Sequence, residues 1–296
     1  MSGPQGFIVH AIEFFLIQNI QSNAINCLDL LIQSAFKIKQ ADQKKESISY
    51  EVLYGVSGFL YVLNYDLLND KIIAQDFRLI YYFHDKEYIG GAHGLFGVLN
   101  IMMQSILLLN QQFLALPKSK YILKSIELSL NFLLSYQQKN GNFLSSFNSK
   151  KSGNNSLCQF CHGSPGAVSP LILASELFKN QKYLNAALQC GQNVWEQGLL
   201  KKGFGLCHGI SGNGYAFLSL YKATNNQEWM NKAKLFGQIW EIKQYMDYIN
   251  NYELEDRYVV GKPDYPFSMF QGIVGDILYL IDLQQPKQFQ FLGYTL

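Results

Sequence analysis

Residues 205–220 read Gly-Leu-Cys-His-Gly-Ile-Ser-Gly-Asn-Gly-Tyr-Ala-Phe-Leu-Ser-Leu, and this stretch indicates the fold. Gly209 and Gly212 stand before an apolar run that continues to Leu220. A helix that is apolar on nearly every face is buried on all sides. Glycine at its start permits a tight turn and a close approach of other backbone segments. The stretch therefore predicts an inner helix whose first turn is crowded by neighbouring chain.

The same Gly-x-x-Gly step, followed by an apolar run, occurs five times at unequal intervals. The steps are Gly55 to Gly58, Gly94 to Gly97, Gly163 to Gly166, Gly209 to Gly212 and Gly272 to Gly275. Amphipathic segments lie between them, for example at 120–137, 181–197 and 227–246. Buried helices that alternate with half-exposed ones predict hairpins around an axis, an all-α fold of the α/α toroid type. Parallel strands are not expected, because short β-branched runs between turns are few.

The predicted convergence of helix starts has an electrostatic consequence. Each helix N-terminus carries a partial positive charge and N–H groups without an intrahelical partner. A ring of such termini would favour an anion, a thiolate or a developing enolate at its centre.

Composition excludes several classes of protein. Only 16% of the 296 residues are charged, and the formal net charge of +2 argues against nucleic acid as a partner. Five cysteines, an odd number in a chain without a secretory leader, predict reduced thiols in a cytosolic setting. The apolar stretch at 7–17 is short and contains His10 and Glu13, which predicts neither a signal peptide nor a membrane span.

Three of the five steps carry His or Cys beside their glycines. The residues are His93, the pair Cys161-His162 and the pair Cys207-His208. In a turn that precedes a helix, neighbouring side chains can bend toward one point. Cys161, Cys207 and His208 then form a Cys₂His set suited to zinc, with the fourth tetrahedral position open as in catalytic sites. Ordinary buried thiols and hydrogen-bonded core histidines are the alternative, but two Cys-His-Gly triplets that each open a repeat favour the metal site.

The other cysteines have simpler interpretations. Cys158 and Cys161 form a C-x-x-C, which is also typical of redox pairs, but no thioredoxin-like strand and helix surround it. Cys27 and Cys190 lie in amphipathic segments and are expected to be core thiols.

Four segments closely resemble the eukaryotic lanthionine synthetase C-like (LanC-like) proteins: 90–97, 160–166, 198–218 and 266–275. The resemblance covers residues 50–296 and implies an α/α toroid of seven inner and seven outer helices. We expect a single domain over 1–296, in which 1–49 is a divergent helical segment. Because only five steps are present, the chain is expected to lack the first two of the seven hairpin repeats. Gln271 is a further departure, since the family commonly has Glu there.

The resemblance also implies a reaction. Family members are thought to add the thiol of glutathione to dehydroalanine or dehydrobutyrine in proteins or peptides, with one zinc per chain on the residues matching Cys161, Cys207 and His208. A metal-bound thiol is a nucleophile near neutral pH, and the enolate that its addition creates needs a proton. His93 matches the family's acid/base histidine, and His162 is the second candidate, for enolate stabilisation. Lys202 matches a lysine near bound glutathione, with a solvated lysine as the alternative.

Two other functions stay open. One is a catalytically impaired scaffold that binds zinc or glutathione, because two repeats are expected to be absent. The other is a toroidal glycoside hydrolase, which needs a carboxylate pair; the acids near repeat starts are Glu51, Asp85, Glu87, Asp264 and Asp276. Glutathione and dehydroamino-acid-containing peptides or proteins are the expected partners. The expected location is the cytoplasm, in part at the inner face of the plasma membrane, with peripheral membrane association left open.

Overall fold

The computed structural model describes residues 78–80, 86–115, 119–149, 157–200, 202–242, 265, 267–291, 294 and 295. The Gly55 to Gly58 step, the segment 1–49 and the expected loss of two repeats lie outside them. The helices in these residues are α1 (Leu95–Leu109), α2 (Gln111–Leu114), α3 (Ser119–Leu134), α4 (Pro165–Leu177), α5 (Gln181–Gln197), α6 (Ile210–Thr224), α7 (Gln227–Gly237), a 3-10 turn (Ile239–Glu241) and α8 (Ile273–Asp282).

The inner helices begin at the predicted glycine steps. Gly94, Gly209 and Gly272 immediately precede α1, α6 and α8, and α4 begins at Pro165 inside the third step. Every residue of α6 from Ile210 to Leu218 is buried, as expected for a helix enclosed on all sides. The glycine pattern therefore located all four inner helices that the structure describes.

The amphipathic segments contain the outer helices α3, α5 and α7, each of which buries one face. Helix α7 ends at Gly237, earlier than the predicted segment, and a 3-10 turn follows it. In α5 the buried residues include Tyr183, Ala186, Ala187 and Cys190, at helical spacing. Helix α5 packs on α4 and α7 packs on α6, while the inner helices contact one another in the order α1, α4, α6, α8. The result is a double layer of helical hairpins.

Strand structure is minimal in the described ranges. Two isolated β-bridges pair Tyr88 with Ser146 and Gln159 with His162. In these same ranges, the helices are too short or too polar to cross a lipid bilayer.

The C-terminal segment lies against the starts of the inner helices. The Tyr294 hydroxyl donates to the Gly166 carbonyl at 2.6 Å. That carbonyl has no helical donor, because Pro170 occupies the position four residues later and lacks an N–H group. The Tyr294 carbonyl accepts from Asn100 Nδ2 at 2.6 Å and from Gln104 Nε2 at 2.8 Å. The end of the chain thus connects α1 with the start of α4.

Candidate metal centre

The loops that lead into the inner helices are hydrogen-bonded in series. The Gly91 N–H donates to the Phe160 carbonyl at 3.2 Å, and the Cys161 N–H donates to the Cys207 carbonyl at 3.1 Å. The Cys207 N–H in turn donates to the Phe270 carbonyl at 2.7 Å. Each loop therefore binds the next one, and this series brings cysteines from two separate hairpins together.

Glycine makes this approach sterically feasible. A Cβ atom on Gly90 would collide with the carbonyl of Cys161, and one on Gly212 would collide with the carbonyl of Leu206. The structure thus confirms the physical reason for which the sequence places glycine at the helix starts.

Cys161, Cys207 and His208 offer three ligand atoms that all lie within 4.8 Å of one another. Both cysteines are buried, with 3% and 7% of their surfaces exposed, and His208 is half-buried. Around a tetrahedral zinc with Zn–S bonds of about 2.3 Å, ligand atoms lie about 3.8 Å apart. The fold therefore brings the predicted ligand set together. A small inward shift of the side chains would give the ligand spacing of a tetrahedral zinc site.

The electrostatics of the two thiols also fit a cation. The pKa of Cys207 is raised well above its ordinary value, first by its hydrogen bond with Cys161 and then by burial, while His208 acts in the opposite direction. Two adjacent buried thiols do not readily ionise together without a compensating charge. A divalent cation supplies that charge and deprotonates a coordinating thiol. The donor set thus fits a zinc ion.

His93 and His162 form an aromatic group with Tyr88 beside these ligands. Ring centroids are 5.5 Å apart for the two histidines, 5.3 Å for Tyr88 and His162, and 6.3 Å for Tyr88 and His93. Burial lowers the pKa of His162 to about 4, and the neighbouring His93 and His208 add to this effect. His162 is therefore neutral at pH 7. Its Nδ1 atom is buried and has no hydrogen-bond partner in the part of the chain that the structure describes.

Sequence reasoning missed Tyr88. It stands in the loop before α1, two residues ahead of Gly90, and its carbonyl accepts from the Leu95 N–H at 3.0 Å. A hydrophobic pattern does not distinguish it from the other tyrosines, so its place beside the histidines depends on the loop's fold.

Lys202 and Gln271 lie on loops that lead into α6 and α8. Lys202 is exposed, five positions before Cys207. Gln271 follows Phe270, the residue that accepts from the Cys207 N–H. Its Oε1 atom is buried without a hydrogen-bond partner among the described residues. The glutathione-binding role of Lys202 stays a proposal.

The remaining described cysteines lie apart from the donor set. Burial raises the pKa of Cys158 to about 12, and its sulfur lies 3.4 Å from Asn193 Oδ1 and 3.7 Å from Ser164 Oγ. Burial also raises the pKa of Cys190. Both are buried core thiols, and the hydrogen-bond partners of the Cys158 sulfur among the described residues are Ser164 and Asn193 rather than Cys161.

Two of the acids considered for a hydrolase are described, and they have separate partners. Glu87 lies 3.8 Å from Arg78. Asp276 accepts from Ser211 Oγ at 2.5 Å and from Trp240 Nε1 at 2.6 Å. The acids Glu51, Asp85 and Asp264 lie outside the described residues.

The fold and the site define an α/α toroid with a Cys₂His donor set at the starts of two inner helices. The family model for lanthionine synthetase C-like proteins matches residues 1–296. The chain belongs to this family, as the four segments quoted from its sequence predict.

The relatives found by comparison differ in how much of them this chain spans. It is 32% identical to glutathione S-transferase LANCL1 from Danio rerio, over 98% of this chain and 71% of the relative. It is 28% identical to LanC-like protein GCL1 from Arabidopsis thaliana, over 84% of this chain and 58% of the relative. The solved structure of nisin cyclase matches 98% of this chain and 64% of its own length, with a TM-score of 0.55 and 14% identity. This last likeness shows the toroid fold.

Proposed function

We propose that the protein is a zinc-dependent enzyme that adds the thiol of glutathione to dehydroalanine or dehydrobutyrine residues in proteins or peptides. The observation that supports this most directly is the cluster of Cys161, Cys207 and His208, whose ligand atoms lie within 4.8 Å of one another. The name of the Danio rerio relative, a glutathione S-transferase, agrees with the proposed co-substrate.

Cys161, Cys207 and His208 are the residues that would hold the ion. Three protein ligands leave one position for a fourth group. If the glutathione sulfur occupies that position, zinc would stabilise its thiolate form near neutral pH.

The histidines then act on the acceptor. As the glutathione sulfur forms a bond to the β-carbon, the electron pair of the acceptor's double bond moves into an enolate, and the α-carbon must finally take up a proton. His93 is the proposed proton donor. His162, neutral because its pKa is about 4, is suited to donate an N–H hydrogen bond to the enolate oxygen.

Lys202 is proposed to pair with a carboxylate of glutathione. Because Lys202 is exposed, such an ion pair contributes up to about 1 kcal/mol, and its loss would act on KM rather than on kcat. Reduced, buried cysteines and the use of glutathione suit the cytoplasm as the site of the reaction.

The test uses purified full-length protein, glutathione and a dehydroalanine-containing peptide, with the thioether measured by mass spectrometry and zinc by elemental analysis. We expect about one zinc per chain and a thioether product from the wild type, and neither from Cys207→Ala. Cys190→Ala, which removes a thiol outside the donor set, is the matched control and should retain both. Equal product from the wild type and Cys207→Ala contradicts the proposal. Stoichiometric zinc without turnover identifies the protein as the binding scaffold instead.

A further inference from the structure

Gln159 makes a direct contact with the candidate metal centre that its sequence position does not reveal. Its side-chain Nε2 donates to the sulfur of Cys161 at 3.3 Å. Gln159 is neither a proposed ligand nor a proposed acid or base. It is partly buried, two positions before the sulfur that it contacts.

The contact is built into a tight turn. The Gln159 N–H donates to the His162 carbonyl and the His162 N–H donates to the Gln159 carbonyl, both at 3.0 Å. This reciprocal pair folds residues 159–162 back on themselves. The Cys161 N–H is held separately by the Cys207 carbonyl. Both ends of the amide-to-sulfur contact are therefore anchored by backbone hydrogen bonds.

The turn is also held by packing. Phe160, between Gln159 and Cys161, is buried against Phe291 and Tyr294, with ring centroids at 4.6 and 4.7 Å. A displacement of the Gln159 side chain from the sulfur would therefore have to come from side-chain rotation rather than from movement of the turn.

An N–H donor to a metal-bound thiolate has two physical effects. It orients the sulfur lone pairs, and it withdraws negative charge from the sulfur, so that less charge is donated to the metal. The two cysteines are not equivalent in this respect. The described side-chain hydrogen bonds give Cys161 an amide donor, while the sulfur of Cys207 has Cys161 and His208 as neighbours.

We propose that Gln159 is a positioning residue of the metal centre, whose amide N–H orients the Cys161 sulfur and withdraws charge from it. The inference rests on the proposed metal site. Without this donor the sulfur donates more charge, and the metal is left a weaker acceptor for an incoming thiol.

Cobalt(II) is the probe, because its sulfur-to-metal charge-transfer absorption reports the charge on the thiolates. Gln159→Met keeps the length of the side chain and removes the donor, while Gln159→Glu keeps the shape and replaces the donor with a negative acceptor. Gln192→Met changes an exposed glutamine on α5 whose side chain donates to Glu196 rather than to a ligand, and it is the matched control. Metal affinity is measured on the full chain by competition with a chelator.

We expect Gln159→Met to shift the charge-transfer band to longer wavelength, because the sulfur regains charge. Both Gln159 variants should lower zinc affinity by about 10- to 100-fold, because the Cys161 sulfur is no longer oriented by the amide. Gln192→Met should match the wild type in both readouts. A Gln159→Met band and affinity equal to those of the wild type overturn the inference while leaving the metal site intact. A wild type that takes up no cobalt or zinc overturns the metal site and this inference together. Cobalt binding with the expected shift but no thioether product supports this inference and refutes only the proposed reaction.

Discussion

His162 shows how the surroundings of a single residue select its chemistry. Its pKa of about 4 results from burial first and from the nearby His93 and His208 second. At pH 7 its imidazole is neutral, so it can donate a hydrogen bond but cannot supply a proton as an imidazolium ion. The neutral state of His162 supports its proposed role in stabilising the enolate, and the proton transfer is proposed for His93.

Replacement of each histidine by asparagine separates these two roles. Asparagine cannot act as a general acid, so His93→Asn should lower kcat by about 10²- to 10⁴-fold while the zinc content stays unchanged. His162→Asn keeps an N–H donor and should lose less. Steady-state kinetics with the dehydroalanine peptide, alongside zinc analysis, provide the comparison. A larger loss in His162→Asn, or loss of zinc from His93→Asn, contradicts the assignment.

Asp276 is a buried acid that joins two inner helices. It lies in the first turn of α8 and accepts from Ser211 on α6 and from Trp240. Burial raises its pKa above the ordinary value of 3.8, and the two hydrogen bonds only partly oppose this. A raised pKa in the folded state means that the native protein binds the proton more tightly than the unfolded chain. The stability that protonated Asp276 contributes is therefore present below pH 3.8 and is lost as the pH rises through the raised pKa.

Asp276→Asn should remove this pH dependence. The amide stays uncharged, and its oxygen can accept from Trp240 while its N–H donates to the Ser211 hydroxyl. The free energy of unfolding of Asp276→Asn, relative to that of the wild type, should rise as the pH increases from about 4 to about 7. Urea unfolding of both proteins across this range measures the difference. A difference that is flat or that falls with pH would show that Asp276 does not titrate as described.

At the scale of helices, inner and outer elements begin in different ways. The outer helices α5 and α7 are capped by Asn180 and Asn226, whose side chains accept from the N–H groups of Lys182 and Glu228. The N-caps of the inner helices make no side-chain capping bond. The outer helices α5 and α7 thus start with a polar cap, whereas the N-cap of α1, α6 and α8 is a glycine. The N-cap of α4 is Ser164, whose hydroxyl donates to Asn193 Oδ1 at 2.7 Å rather than capping the helix.

The first N–H groups of two inner helices are nevertheless paired. Leu95 and Phe96 donate to the carbonyls of Tyr88 and Ile89, and Ile210 donates to the carbonyl of Gly203. These N–H groups lack an intrahelical partner, as expected, but they are paired with loop carbonyls instead of being open to an anion. The entry loops fold back and supply carbonyl acceptors, so these particular N–H groups are not available to an anion.

Substitutions at the two kinds of start should differ in their consequences. Asn226→Ala removes one cap from α7 and should cost about 1 kcal/mol of unfolding free energy with zinc affinity unchanged. Gly212→Ala forces a methyl group onto the Leu206 carbonyl, next to Cys207, and should cost about 2–3 kcal/mol and weaken zinc binding. Urea unfolding and zinc competition measure the two effects. Unchanged zinc affinity in Gly212→Ala would contradict the expectation that crowding at the start of α6 disturbs the neighbouring metal ligands.

For the molecule as a whole, the C-terminal segment connects parts of the toroid that are distant in sequence. Phe291 and Tyr294 pack on Phe160, next to Cys161. Tyr294 also accepts from Asn100, 194 residues away along the chain, and donates to the Gly166 carbonyl that Pro170 leaves without a helical donor.

Loss of this segment's contacts should destabilise the whole fold. Phe291→Ala should cost about 3–5 kcal/mol, because it empties a buried aromatic position. Tyr294→Phe should cost about 1–3 kcal/mol, because it leaves the buried Gly166 carbonyl without a donor. Gln288→Ala, at an exposed position of the same segment, is the control and should stay within about 0.5 kcal/mol of the wild type. Urea unfolding tests all three, and equal stability of Tyr294→Phe and the wild type would contradict the proposed pairing.

The sequence by itself determined the inner and outer helices that the structure describes and the residues of the candidate metal site. These are local properties: a glycine step before an apolar run, apolar residues that recur at helical spacing on one face, and Cys-His-Gly triplets at two helix starts. The tertiary structure alone decided that Tyr88 lies beside the histidines, that Gln159 donates to Cys161, and that Tyr294 replaces the donor missing at Pro170. These contacts depend on how loops and the chain end fold onto distant segments. Such packing follows from the balance of many buried contacts and hydrogen bonds, and it has no periodic pattern along the chain.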